Sequence, residues 1–326
     1  WQMAVKWSIA LFASLCCLLF WGCKQATHFQ MQLEHMNELE SIIYVEGQAK
    51  ILLLPIQESA DESLLQIESG DGNKIMQTLD VHMAVDSIDY FVPLDLDNYR
   101  QGSGETIMIR MKGLYNNAVT WDAIELVDTF DTTNRETFRP IYHHTPLYGW
   151  MNDANGLVYK DGEYHLYFQY NPYGSVWGNM HWGHSVSKDL MHWEHKAPVI
   201  ARDSLGHIFS GSSVVDVENT AGYGAGAIIA FYTSASEKNG QIQCMAYSKD
   251  NGYTYTKYEK NPILTPFDGI KDFRDPKVFW YNPEKKWIMI VSADKEMRFY
   301  ASYNLKDWTY LSAWGEGYGV QPRQFE

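Results

Sequence analysis

The chain has 326 residues, 45% of them hydrophobic and 15% aromatic, with 12 Trp and 22 Tyr. That length allows two domains with packed cores. A formal charge of -14 without a Lys/Arg cluster excludes a nucleic-acid surface, because phosphate binding needs a basic face.

Residues 1–23 read as a signal peptide of the lipoprotein type. Lys6 precedes an apolar run from Trp7 to Trp21, too short for a comfortable membrane span and suited to a signal core. The run ends at Gly22-Cys23, followed by Lys24-Gln25, which resembles a bacterial lipoprotein processing site with Cys23 as the lipidated residue. Phe20 and Trp21 depart from that pattern, and a plain secretory signal or an uncleaved anchor is the alternative. The expectation is an exported protein whose membrane tie is an N-terminal lipid. Cys16, Cys17 and Cys23 all lie in this segment, which leaves Cys244 alone beyond it. Neither a disulfide framework nor a zinc site follows, and Cys244 reads as a buried strand residue.

Residues 28–130 read as an all-β accessory module. The runs 41–45, 49–56, 63–67, 88–92 and 106–111 are short and β-rich. Turn signals such as Gly70-Asp71-Gly72-Asn73 divide them, a spacing that predicts a β-sandwich without a catalytic constellation. The polar stretch closing at Pro140 reads as a linker over 131–140.

From 141 to 326 the texture changes to aromatic hairpins. Leu157-Val158-Tyr159 and Tyr164 to Phe168 flank an Asp161-Gly162 turn, and Phe279 to Ile290 repeats that arrangement. Ala225 to Thr233 gives a further apolar strand. Ser187-Lys188-Asp189, Ser248-Lys249-Asp250 and Ser302-Tyr303-Asn304 each follow such a strand, and their serines stand 61 and then 54 positions apart. A period of that size with about four strands per unit predicts β-propeller blades. The count is roughly three blades plus the start of a fourth, an unfinished ring. A propeller gathers the starts of its inner strands around one funnel, so Asp153, Ser210, Asp275 and Glu326 are expected to converge.

Breaking a glycosidic bond needs carboxylates in unequal roles. Asp153 lies between Asn152 and Asn155, whose amides could hold its carboxylate ionised, as suits a nucleophile. Taken alone, this run also reads as a polar turn. Arg274-Asp275-Pro276 offers a pair to grip sugar hydroxyls, or a structural ion pair at a strand start. Phe209-Ser210, Gln169 and Trp177 offer rings, a hydroxyl and an amide, or ordinary loop structure. His181, His184, His192 and His195 are close in sequence, but the first two flank Trp182-Gly183 in an extended segment. Neither a metal nor another cofactor is expected.

Taken in order, Trp150 to Gly156, Phe168 to Pro172, Trp177-Gly178-Asn179, Phe209 to Ser212 and Phe273 to Pro276 closely resemble glycoside hydrolase family 32, the invertase, inulinase and levanase family. The resemblance implies an all-β catalytic domain, a five-bladed β-propeller that is incomplete in this chain. It also implies retaining hydrolysis of β-fructofuranosyl bonds in fructan or sucrose through a covalent fructosyl-enzyme intermediate. Carried over by motif, Asp153 is the nucleophile and Asp275 the transition-state stabiliser. Asn152, Gln169, Trp177, Phe209, Ser210 and Arg274 match positions that bind the fructosyl unit. Glu326, 51 positions after Asp275, matches the acid/base by spacing, with Glu316 as its rival. Ala154 stands where the family usually has proline. An inverting arabinan or xylan hydrolase on a similar propeller, or a non-catalytic fructan-binding surface lipoprotein, are the competing readings.

Overall fold

The computed structural model describes residues 30–100, 106–133 and 138–315. The expectations for Cys23, Glu316 and Glu326 fall outside the described residues.

Two sheets form the N-terminal module. One has the order β1 (Gln30–Asn37), β2 (Glu40–Glu46), β7 (Ile107–Lys112), β4 (Ser63–Ser69) and β5 (Ile75–Val81). The other joins β6 (Tyr90–Asp95), β3 (Ile51–Ile56) and β8 (Glu125–Val127). Alternation along the strands turns Leu65 and Ile67 of the first sheet and Leu52 and Leu54 of the second into one apolar cluster. Burying each such side chain stabilises by about 1.5–3 kcal/mol, which holds the two sheets together as a sandwich. Two strands escape the sequence pattern. β1 is exposed along nearly its whole length and is held by backbone pairing to β2. In β5, Gln77, Thr78 and Asp80 interrupt the apolar run. The strand expected over 88–92 begins two residues later, at Tyr90.

After described residues 128–133 and 138–149, which hold no strand before Trp150, come three antiparallel four-stranded sheets among the described residues. The first is β9 (Trp150–Lys160), β10 (Glu163–Asn171), β11 (His181–Ser187) and β12 (Glu194–Ile200). The second is β13 (His207–Asp216), β14 (Ala227–Ser236), β15 (Gly240–Ser248) and β16 (Thr256–Lys257). The third is β17 (Phe273–Tyr281), β18 (Lys286–Ala293), β19 (Glu296–Ser302) and β20 (Thr309–Trp314). Each sheet is a blade whose strands pair in chain order, and β13 lies against both β9 and β17.

β14 shows why the blades stack. It is buried on both faces, and so reads as a continuous apolar run rather than an alternating one. Ala230 and Tyr232 join Tyr167 and Trp182 of the first blade, while Ile229 and Phe231 join Phe273 and Met289 of the third. Cys244 is fully buried in β15, and burial pushes its thiol up to about 12.

The repeated serines close the third strand of each blade. Ser187 Oγ accepts from the Leu190 N–H at 2.8 Å, Ser248 Oγ from Gly252 at 2.8 Å, and Ser302 Oγ from Asn304 at 3.2 Å. Leu190, Asn251 and Leu305 take φ of 65°, 61° and 63° in these turns. The short side-chain bond stabilises a left-handed residue that a plain strand exit would not hold.

Candidate active site

The first strand of each of the three described blades carries the same irregularity. In β9, Asn152 and Asp153 together face Gln169 of β10, because the register slips between Phe168 and Tyr170. In β13, Phe209 and Ser210 face Thr233, and in β17, Asp275 and Pro276 face Val291. Two residues against one is a β-bulge, which bends the strand and re-aims the side chains at the extra residue. Three equivalent bulges therefore turn Asp153, Ser210 and Asp275 into one cavity of about 550 Å³. The sequence reading put Asn152–Gly156 before a strand that began at Leu157. The strand instead starts at Trp150 and runs through the whole motif.

Ser210 Oγ donates to Asp153 Oδ2 at 2.7 Å. The asparagines expected to hold this carboxylate bond elsewhere. Asn152 Oδ1 accepts from Trp150 Nε1 at 3.2 Å, and Asn155 Oδ1 accepts from the Gly211 N–H at 3.3 Å. Backbone space explains that split. Asn155 is buried where β9 meets β13, and the neighbouring Gly156 has φ 55° with Tyr167, Trp182 and Ser213 packed against its α-carbon.

Asp275 has φ 62°, a left-handed conformation that costs a residue with a side chain about 1–3 kcal/mol. The second blade holds it there. The Asp275 N–H donates to Thr233 Oγ1 at 3.1 Å, Thr233 donates to Gln243 Oε1 at 2.7 Å, and Gln243 Nε2 donates to the Phe273 carbonyl at 2.7 Å. Ser212 Oγ spans the same bulge, donating to the Pro276 carbonyl at 2.7 Å and accepting from the Val278 N–H at 3.0 Å. Thr233 and Gln243 are fully buried, and sequence reasoning missed them. The sequence alone does not single them out, because Ser234 and Gln241 stand beside them in the same strands; their burial without an unpaired polar group is what marks them.

The remaining candidates divide into rim and support. Arg274 Nη1 bonds Asp272 Oδ1 at 2.7 Å, and its Nε lies 3.5 Å from Asp275 Oδ2, so the guanidinium links two carboxylates. Trp177 is 52% exposed, stacked on His207 at 5.8 Å and edge-on to Phe209 at 5.9 Å. The three rings pack on one another, and Phe209 directly precedes Ser210 in the chain, but none of the three lines the cavity of Asp153 and Asp275. Gln169 is buried, and its Nε2 donates to the Ile208 carbonyl at 3.0 Å, so that N–H ties the first blade to the second. Asn179, grouped with Trp177 in the sequence reading, is buried and bonded to the N-terminal module rather than to the cavity.

The histidines are structural. His184 Nε2 and His165 Nδ1 share a proton at 3.0 Å with their rings stacked, and burial pushes His184 down to about 3. His181 bonds the Asn179 carbonyl, and its burial likewise takes it to about 3. His192 pairs with Asp189 at the surface, and His195 Nδ1 lies 3.1 Å from Ser185 Oγ. A second cavity of about 570 Å³ lies between the N-terminal module and the first blade, and none of the candidate site residues lines it.

Comparison with known proteins agrees with this geometry. Residues 143–320 match the glycosyl hydrolases family 32 N-terminal domain, and residues 37–142 match a domain of unknown function (DUF4980). A levanase of Bacillus subtilis (strain 168) is 54% identical over 187 residues, covering 56% of this chain and 27% of that protein. Invertase 1 of Saccharomyces cerevisiae is 46% identical over 200 residues, covering 57% and 37%. Among solved structures, exo-inulinase from Aspergillus awamori superposes with a TM-score of 0.53 at 39% identity, covering 57% of this chain and 41% of that one. Fructofuranosidase from Schwanniomyces occidentalis complexed with fructose gives 0.52 at 42% identity, covering 56% and 38%. The chain thus spans well under half the length of these relatives. With its signature matched across more than half the chain and its motifs gathered on three propeller blades, the chain belongs to glycosyl hydrolase family 32.

Proposed function

We propose that the whole protein hydrolyses β-fructofuranosidic bonds of fructan or sucrose with retention of configuration. The observation that carries this reading is the cavity shared by Asp153 and Asp275, with Ser210 fixing one oxygen of Asp153. The other oxygen of Asp153 is the one offered to the anomeric carbon. Attack forms a C–O bond to Asp153 as the glycosidic C–O bond breaks, and the departing oxygen takes a proton from a second carboxyl group. Glu326 is proposed for that role. Water then attacks the fructosyl-enzyme, assisted by the same group acting as base, and frees Asp153. Asp275 and Arg274 hold sugar hydroxyls, and Trp177 and Phe209 supply aromatic contacts to the sugar.

The names of the relatives support this chemistry class: levanase, invertase and exo-inulinase act on fructosides by their printed names. We further propose that the protein is exported and held to a membrane through lipid on Cys23. The test is release of fructose or short fructans from levan, inulin and sucrose by the full-length protein, with Asp153→Asn as control. Cleavage that is lost in the variant supports the reading. Full-length protein inactive on all three substrates refutes it in favour of a fructan-binding protein. Inverted product would point instead to a propeller hydrolase of the arabinan or xylan type.

A further inference from the structure

Trp177 lies on the β10–β11 loop, and the grip on that loop comes from the N-terminal module. Tyr173, ahead of Trp177, is buried in the apolar cluster of the sandwich. Among the described residues of that cluster, it is the one contributed by the propeller. Ser175 donates its Oγ at 2.6 Å and its N–H at 3.1 Å to Glu58 Oε1, and the same N–H lies 3.0 Å from the Tyr90 hydroxyl. Tyr90 in turn bonds Glu58 Oε1. Beyond Trp177, Asn179 Oδ1 accepts from the Asp80 N–H at 3.0 Å and from Arg202 Nη1 at 2.8 Å, while its Nδ2 donates to the Asp80 carbonyl. Arg202 Nη1 also bonds Asp80 Oδ2 at 2.8 Å. The propeller's own share includes Asn171 Nδ2 on the Val176 carbonyl at 2.9 Å.

Trp177 is therefore a half-exposed ring held between three anchors on another domain, at positions 173, 175 and 179. A module that served as a spacer would need one surface patch. It would not need to grip the loop on both sides of a single aromatic residue that faces His207 and Phe209. From this juxtaposition we infer that the N-terminal module is a positioning domain: Glu58, Tyr90 and Asp80 fix the Trp177 loop, and so set how tightly Trp177, in the sugar-binding role proposed above, holds the substrate. The inference rests on the fructosidase reading for its substrate, but the anchors are independent of it.

The test uses the full-length protein. Glu58 is part-exposed and on the module, so Glu58→Ala removes the acceptor for Ser175 without opening a core. KM for sucrose or a fructan is expected to rise roughly fivefold to tenfold, the scale of one lost hydrogen bond, with kcat within about twofold. Glu58→Gln keeps an acceptor oxygen and is expected to restore KM. Asn179→Ala, which removes both bonds to the Asp80 backbone, is expected to raise KM in the same way. Amide exchange of the peptide spanning residues 172–180 should quicken in Glu58→Ala. Unchanged KM in both alanine variants of an active enzyme overturns the inference. A wild type that cleaves no fructoside refutes the functional reading instead, and the anchor is then judged by exchange, where an unchanged rate overturns it.

Discussion

Ser210 reaches across from the second blade to Asp153 on the first, its hydroxyl 2.7 Å from Oδ2 over a separation of 57 positions in the chain. Both residues sit in the extra position of a β-bulge, so the bond depends on two registers being right at once. Removing it leaves the carboxylate present but free to turn. Ser210→Ala is expected to lower kcat on the preferred fructoside by about ten- to a hundredfold, the scale of one hydrogen bond to a charged group. Steady-state kinetics check this; a kcat equal to wild type would contradict the assigned geometry.

Gly156 lies three residues beyond Asp153, and a Cβ there would meet Tyr167, Ser213 and Trp182 at 2.7–2.8 Å with φ at 55°. The contacts are rigid rings and a buried hydroxyl, so the strand must move rather than a flexible tip. Gly156→Ala is expected to cost about 2–4 kcal/mol, from overpacking together with left-handed backbone strain. A thermal or denaturant melt should show a lowered midpoint, and an unchanged one would count against the packing of β9 on β13.

How much of this was legible in the sequence follows the same division. Asp153, Ser210 and Asp275 stood out because their motifs are contiguous, and the turns opened by Ser187, Ser248 and Ser302 because each is local. The bulges were not legible. Whether Asn152 and Asp153 face one residue or two depends on Gln169, on a different strand, and on which pairing β10 adopts. Thr233 and Gln243 are likewise polar residues whose meaning comes from a neighbour, the Asp275 backbone, on another blade. β1 has no buried face to give an alternating pattern. Tyr173 belongs to the propeller's part of the chain, and only the docked module makes it a core residue of the sandwich.

Buried histidines should make the fold acid-labile. Burial lowers His181 and His184 from 6.5 to about 3, and His144 and His207 to about 4. Above about pH 6.5 these groups are neutral in both folded and unfolded chains and contribute no pH dependence. As pH falls below that value the unfolded chain takes up protons that the folded one does not, so stability drops down to the folded values. Denaturant midpoints are expected to fall between pH 7 and pH 4.5. In His184→Gln the slope should shrink by up to about one proton, about 1.4 kcal/mol per pH unit. A slope unaltered by that substitution would contradict the burial of the His165–His184 pair.

The central claim is that Asp153 attacks the fructosyl carbon, and the most direct measurement is of the bond it makes. Full-length protein quenched in acid during turnover of sucrose or levan, then digested and analysed by mass spectrometry, should carry a hexosyl adduct on the peptide containing Asp153. The adduct should be absent without substrate and absent in Asp153→Asn. An adduct on a different carboxylate, or active turnover by Asp153→Asn, would contradict the account.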